Sequence, residues 1–145
     1  MDKGTAVVLT AGAGGLIALQ APINAGLGKA TGDVTAALVS FLVGSAALFL
    51  IVLISGKLGG VTHVGDVRWY YLLGGLLGAV YVANALVAVG SIGAGGVAAA
   101  TVAGQLTASV VADRLGILGL EQTSITPERI LGVVLLLAGT VLIVR

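Results

Sequence analysis

The residues that could do chemistry in this sequence are uncharged amides and hydroxyls set in apolar surroundings. Gln20 and Asn24 are four positions apart, so on a helix they share one face. Tyr81 and Asn84 are three apart and share a face in the same way. An amide without a hydrogen-bond partner costs several kcal/mol in an apolar medium, so we expect these side chains to face one another or a polar cavity.

A longer polar stripe follows with a regular spacing of four residues on an otherwise Ala- and Val-rich surface. It consists of Thr101, Gln105, Ser109 and Asp113. Two interpretations apply to the whole polar set. The amides hydrogen-bond across helices as packing contacts, at about 1 kcal/mol each, or they line a substrate site between helices 1, 3 and 4. We favour the site, which would be approached through a helix kink at Pro22, because transporter sites often use broken helices.

Other kinds of chemistry have little support in this sequence. It contains no Cys and a single histidine, His63, which excludes thiolate metal sites and a histidine cluster within one chain. No pairing of a nucleophile with a base is visible, so we predict no enzymatic activity, no metal site and no cofactor. The net charge of +1 comes without a basic run, which argues against a nucleic-acid partner.

The composition indicates that most of the protein lies in lipid. Of its 145 residues 58% are hydrophobic and 9% are charged, whereas soluble domains are about 25% charged. Charged residues divide the chain into apolar intervals of the length that a bilayer requires. The sequence therefore predicts an all-α integral membrane protein, with residues 1–145 as a single transmembrane domain. Its five helices are expected at residues 4–27, 34–56, 69–89, 95–114 and 127–145.

Two helix boundaries rest on specific residues. The uncharged interval after Arg68 is too long for one span, and the glycine-rich run at 90–96 predicts a break near its middle. The last helix has a clear start, with Thr126 as N-cap, Pro127 at the first helical position and Glu128 in the first turn. Asp113 and its neighbour Arg114 are expected to anchor the end of helix 4 at the membrane interface.

Five spans place the two termini on opposite sides of the membrane. The N-terminal side then carries more basic residues than the other side, which favours a cytoplasmic N-terminus by a modest margin. The N-terminal side holds Lys3, Lys57, Arg68, Arg114 and Arg129, and the opposite side holds Lys29 and Arg145. Because the margin is small, insertion in both orientations stays open as an alternative.

The order of these motifs resembles a known family. The chain contains Ala18-x-Gln20-x-x-x-Asn24-x-x-Leu27-Gly28, then Gly74-Gly75-x-x-Gly78-Ala79-x-Tyr81-Val82, then Gly104-Gln105-x-x-x-Ser109-x-x-x-Asp113-x-x-Gly116, and finally Arg129-x-x-Gly132. Together they resemble the YdcZ-type family of the drug/metabolite transporter superfamily over nearly the whole chain. The resemblance implies a multi-pass protein of the bacterial inner membrane that forms one five-helix repeat.

A single repeat of this kind is expected to pair with a second copy of itself in antiparallel orientation, or with an inverted homologous partner. By analogy with small multidrug resistance exporters the last helix would form the dimer interface, where Gly132 and Gly139 allow close approach. Those exporters carry a membrane-embedded Glu in helix 1, whereas this chain offers Gln20 and Asn24. The expected function is therefore transport of a small polar metabolite at an amide-lined site. A passive pore or channel and an accessory membrane subunit are the alternatives.

Overall fold

Helices make up most of the described chain, and residues 120–126 form its longest non-helical stretch. The computed structural model describes residues 1–118 and 120–145 in full, together with the backbone of Gly119, and no strand occurs in them. Short 3₁₀ segments lie in the connections, at Leu58–Asp66, Trp69–Leu72 and Ile117–Gly119. The four α-helices are α1 (Lys3–Thr31), α2 (Asp33–Ile54), α3 (Leu73–Leu115) and α4 (Pro127–Val144).

Helix α1 begins with a side-chain cap and ends in a tight turn. The Asp2 carboxylate accepts a hydrogen bond from the backbone N–H of Thr5 at 2.9 Å and another from the Thr5 hydroxyl. These bonds, that of the hydroxyl first, hold the pKa of Asp2 below its ordinary value. Pro22 lies inside α1, which continues to Thr31 instead of ending at 27. The kink expected at Pro22 stays a prediction.

The turn from α1 to α2 depends on glycine. Gly32 has a φ of 84°, in the region that favours glycine, and its N–H donates to the carbonyl oxygen of Gly28 at 2.7 Å. A Cβ added at Gly28 would lie 2.7 Å from Oδ1 of Asp33, so the start of α2 passes very close to the end of α1. The two helices are therefore joined as a tight helical hairpin.

Helix α3 is interrupted inside its length. Gly93 has a φ of 70° and a ψ of 169°, a conformation that is essentially restricted to glycine. We call residues 73–92 the first arm of α3 and residues 94–115 its second arm. The interruption falls within the glycine-rich run at 90–96, where the sequence predicts a break. Residues 69–72 form a 3₁₀ turn that continues into the α-helix at Leu73.

The start of α4 agrees with its sequence signals. Pro127 is the first helical residue, and the Thr126 side chain accepts a hydrogen bond from the backbone N–H of Arg129 at 3.4 Å. Proline suits this position because its missing N–H would have no partner within the helix. The predicted N-cap of the last helix is confirmed.

The helices are long and apolar enough to cross a bilayer. Four stretches qualify, of 29, 22, 47 and 18 residues, and the third consists of α3 with the 3₁₀ turn before it. Few of their side chains are buried within the chain, and the last of them has none in its most apolar window. So much exposed apolar surface is typical of a protein surrounded by lipid. The described chain is therefore an all-helical protein with the character of an integral membrane protein.

The chain divides into two compact units. Unit 1 comprises residues 1–19 and 91–145, and unit 2 comprises residues 20–90. The core of unit 2 joins α1, α2 and the first arm of α3. It is formed by Ala36, Ala37, Val82 and Leu86, and Phe41 of α2 packs against it. Small residues on α2 let these helices approach closely, which positions the polar residues of α1 opposite the first arm of α3.

Candidate functional site

A small cavity in unit 2 brings together polar residues from α1 and the first arm of α3. Its volume is about 10 Å³, which is close to the space that one water molecule needs. The polar members of its lining are Gln20, Asn24 and Tyr81, all of which the sequence analysis predicts as site residues. The full lining consists of Gln20, Ala21, Asn24, Tyr81, Val82, Ala85 and Leu86.

Helical spacing explains how the cavity forms. On α1, Gln20 and Asn24 stand one turn apart on the face toward the cavity, with Ala21 beside them. On the first arm of α3, residues 81, 82, 85 and 86 form one stripe in the same manner. Val82 and Leu86 belong to the core of unit 2, so their packing against α2 fixes the position of Tyr81.

Asn24 is the most deeply buried polar residue of this group. Its relative exposure is 6%, whereas Gln20 and Tyr81 are half-buried. Among the described residues, its Nδ2 atom has no hydrogen-bond partner. Most buried polar side-chain atoms have a partner, and a buried donor without one costs about 1–3 kcal/mol. An unpaired amide at a cavity is therefore the feature of unit 2 that most needs a functional explanation.

Asn84 lies outside this cavity. It is exposed on the first arm of α3, although it stands three residues from Tyr81. Residues three apart share one broad side of a helix, but the cavity lies against only the part of that side that Tyr81 and Ala85 form. The assignment of Asn84 to substrate binding stays a prediction.

Gln105 and Ser109 belong to unit 1, on the second arm of α3. Both side chains are exposed, and Thr101 of the same stripe is half-buried. An exposed amide at membrane depth needs a partner from outside its own helix, since lipid offers no hydrogen bonds. Their assignment to substrate binding likewise stays a prediction.

The last member of the stripe, Asp113, has a partner that the sequence analysis missed. Nη1 of Arg129 donates to Oδ2 of Asp113 at 3.2 Å, while the backbone N–H of Thr123 donates to the Asp113 carbonyl oxygen at 2.9 Å. The sequence analysis considers only the adjacent Arg114. The signal that could have revealed Arg129 is its place in the first turn of α4, because α3 and α4 meet at one short connection.

The second arm of α3 and α4 also enclose an apolar groove of about 380 Å³. Thr140 of α4 crosses to the second arm of α3, where its hydroxyl donates to the Ala99 carbonyl oxygen at 3.1 Å. Gly139 lies in the groove lining, and a Cβ added at Gly132 or Gly139 would meet no described atom within 4 Å. Both predicted interface glycines are thus sterically open within their unit.

The described residues contain no group of three or more His, Asp or Glu side chains that could hold a metal ion. His63 lies in the first 3₁₀ segment, where its Nδ1 is 3.3 Å from Oδ2 of Asp66 and both side chains are exposed. Its surroundings are those of a surface residue.

Comparison with protein families gives a match over residues 5–142, almost the whole chain. The matching family is described as "Putative inner membrane exporter, YdcZ". No curated protein and no solved structure gave a match. The resemblance seen in the sequence motifs is confirmed, and so is the multi-pass inner-membrane location that it implies.

Proposed function

This chain belongs to the YdcZ family of inner membrane exporters, and we propose that it transports a small polar molecule at a site lined by amide side chains. The site would include Gln20, Asn24 and Tyr81, which line the cavity of unit 2. We also propose Asn84, Gln105 and Ser109 as substrate-binding residues. The family supports a transporter as the general class of function.

The observation that carries the proposal is the unpaired amide of Asn24 beside a cavity. If the polar residues of α1 and α3 served only to hold helices together, we would expect the most buried amide to have a protein partner. Its Nδ2 atom has none among the described residues. A group that binds a ligand must keep hydrogen-bonding capacity free for it, and Asn24 does so.

The proposed topology has five spans, because α3 crosses the membrane twice. A continuous helix of 47 residues would be about 70 Å long, more than twice the bilayer core of about 30 Å. The non-helical Gly93 supplies a place where the chain can reverse. With five spans the termini lie on opposite sides, as the arrangement of one transport repeat requires.

The proposed working form is an antiparallel pair of five-helix repeats, made of two copies of this chain or of this chain and an inverted homologous partner. Gly132 and Gly139 on α4 offer smooth surface for the contact. A pair of inverted repeats can alternate between two states around a shared central site.

The substrate that suits such a site is polar and without net charge. No charged side chain lines the cavity among the described residues, and α1 contributes the amides of Gln20 and Asn24 to the lining. A bare ion there would lack a counter-charge in a medium of low polarity, which is strongly unfavourable. A neutral or zwitterionic metabolite avoids that cost.

The experiment that tests the proposal is transport by purified protein reconstituted into liposomes. The vesicles are loaded with a mixture of small polar metabolites, and mass spectrometry identifies those that leave faster than from empty vesicles. We expect flux that saturates and that is accelerated by the same metabolite on the opposite side. Flux without saturation would instead indicate a passive pore, and absence of flux with stable co-purification of a larger membrane complex would indicate an accessory subunit.

A further inference from the structure

We infer that the cavity beside Asn24 accepts a single uncharged oxygen atom of the substrate, a carbonyl or hydroxyl, to which Nδ2 of Asn24 donates a hydrogen bond. The inference rests on the proposed function and narrows the substrate class: the transported molecule carries a neutral hydrogen-bond acceptor that enters unit 2 first. It concerns one named donor, one cavity and one functional group.

The size of the cavity limits what can enter it. A volume of about 10 Å³ holds one water-sized group, so a whole metabolite does not fit. The part that enters is a single oxygen with its attached carbon at the rim. The remainder of the molecule stays outside this cavity, which leaves room for the other predicted site residues to contact it.

The lining determines the charge of that group. From α1 the cavity is faced by Gln20, Ala21 and Asn24, and from the first arm of α3 by Tyr81, Val82, Ala85 and Leu86. These side chains include no cation to balance a carboxylate and no anion to balance an ammonium group. A neutral oxygen needs no balancing charge, and it satisfies the donor that the described residues leave without a partner.

The burial of Asn24 makes the donor selective. With 6% of its surface exposed, its amide gains little from bulk water or lipid, so an oxygen atom that enters the cavity is the acceptor available to it. A molecule that lacks an acceptor at this point leaves the donor unpaired and is rejected. Sites built to hydrogen-bond one group discriminate strongly against analogues without it.

The sequence allows a direct test, because it contains only two asparagines, Asn24 and Asn84. Protein labelled with ¹⁵N at asparagine side chains therefore gives signals from two side-chain amides in lipid nanodiscs, one from each asparagine. The Asn84→Ala variant identifies the signal of Asn24. Acetone is added as a probe with a neutral acceptor, and ethylammonium as a charged probe with donors alone.

We expect acetone to move the Asn24 amide protons downfield in a saturable manner, and ethylammonium to have no effect on them. A response of Asn24 to ethylammonium, or no response to acetone, would overturn the inference. This measurement does not require flux. Flux without an acetone response would leave the proposed transport intact and reject the inference. An acetone response without flux would support the inference and reject the proposed transport.

A second variant tests whether the amide has a structural role instead. Leucine has nearly the shape of asparagine, and Asn24→Leu removes a donor that has no partner, so we expect its unfolding temperature to be equal to or above that of the parent chain. We also expect it to lose the acceptor selectivity of transport. A lower unfolding temperature would show that the Asn24 amide stabilises the fold through a partner, and would overturn the inference.

Discussion

Arg129 donates a hydrogen bond from Nη1 to Oδ2 of Asp113 at 3.2 Å, which ties the first turn of α4 to the last turn of the second arm of α3. The connection between them is held to the same place, because Thr123 donates to the Asp113 carbonyl oxygen and Gln122 donates through Nε2 to the Arg114 carbonyl oxygen at 3.0 Å. One ion pair and two backbone acceptors thus order the connection from 116 to 126.

Breaking this ion pair should weaken unit 1 slightly. Both side chains are about one third exposed, so solvent screens the attraction and the loss in Asp113→Asn should be at most about 1 kcal/mol. Thermal unfolding in micelles measures it. Arg129→Gln should cost as much, and the exchanged pair Asp113→Arg with Arg129→Asp should recover part of the loss. Arg114→Gln, which keeps the pair, is the control, and an equal loss there would contradict the assignment.

The backbone at Gly93 should tolerate no side chain. Its φ of 70° with ψ of 169° belongs to a region open essentially to glycine, so Gly93→Ala should destabilise the protein by about 1–3 kcal/mol. Gly90→Ala is the matched control, three residues earlier and without a positive φ. An added Cβ atom would meet nothing within 4 Å at either position, so a steric clash cannot account for a difference in stability between the two variants. If both variants unfold at one temperature, the break does not lie at Gly93.

Local signals in the sequence were sufficient for the helices and insufficient for the contacts between them. Thr126 and Pro127 mark the start of α4 because capping depends on neighbours in sequence, and glycine at 93 permits a conformation that other residues avoid. The meeting of Asn24 with the first arm of α3 depends on how Ala36 and Ala37 let the helices approach, which no local pattern encodes.

The differences between the predictions and the structure have the same origin. The predicted end of helix 1 near 27 follows from Lys29, which closes the uncharged interval, whereas α1 continues to Thr31. Asn84 is grouped with Tyr81 by spacing alone, although the cavity faces only one edge of their shared surface. The partner of Asp113 comes from another helix, so adjacency in sequence could not identify it.

Gln105 separates the two interpretations of the polar stripe. It is exposed in unit 1, so Gln105→Ala should leave folding and dimer formation unchanged. Flux in reconstituted vesicles should fall by roughly tenfold or more, since a lost hydrogen bond of about 1.4 kcal/mol corresponds to a factor of ten. Thr107→Val on the same arm is the control, because the Thr107 hydroxyl donates to the Ala103 carbonyl oxygen of its own helix. Misfolding of Gln105→Ala would support a packing role.

The glycines of α4 should matter for assembly more than for folding. Gly132→Leu and Gly139→Leu place bulk where no described atom lies within 4 Å of an added Cβ, so the single chain should fold normally. If α4 forms the dimer contact, each should raise the dissociation constant of the dimer by about tenfold or more. Energy transfer between labelled copies in micelles measures this. Gly44→Leu on α2 is the control, because an added Cβ at Gly44 also meets nothing within 4 Å. It should leave the dimer unchanged, and a similar effect there would argue against α4 as the interface.

The orientation of the chain decides between a homodimer and a pair with an inverted partner. Single cysteines at Ala30→Cys and Leu58→Cys lie beside Lys29 and Lys57, in exposed positions flanking α2, and the chain has no cysteine of its own. Lys57 and Lys29 lie on opposite sides in the five-span topology, and the basic residues favour the N-terminal side as cytoplasmic only weakly. An antiparallel homodimer requires both orientations in similar amounts, so a membrane-impermeant thiol reagent should label each site to about half in intact cells. Complete labelling of one site and none of the other would show a single orientation, and an inverted partner encoded elsewhere would then have to supply the second repeat.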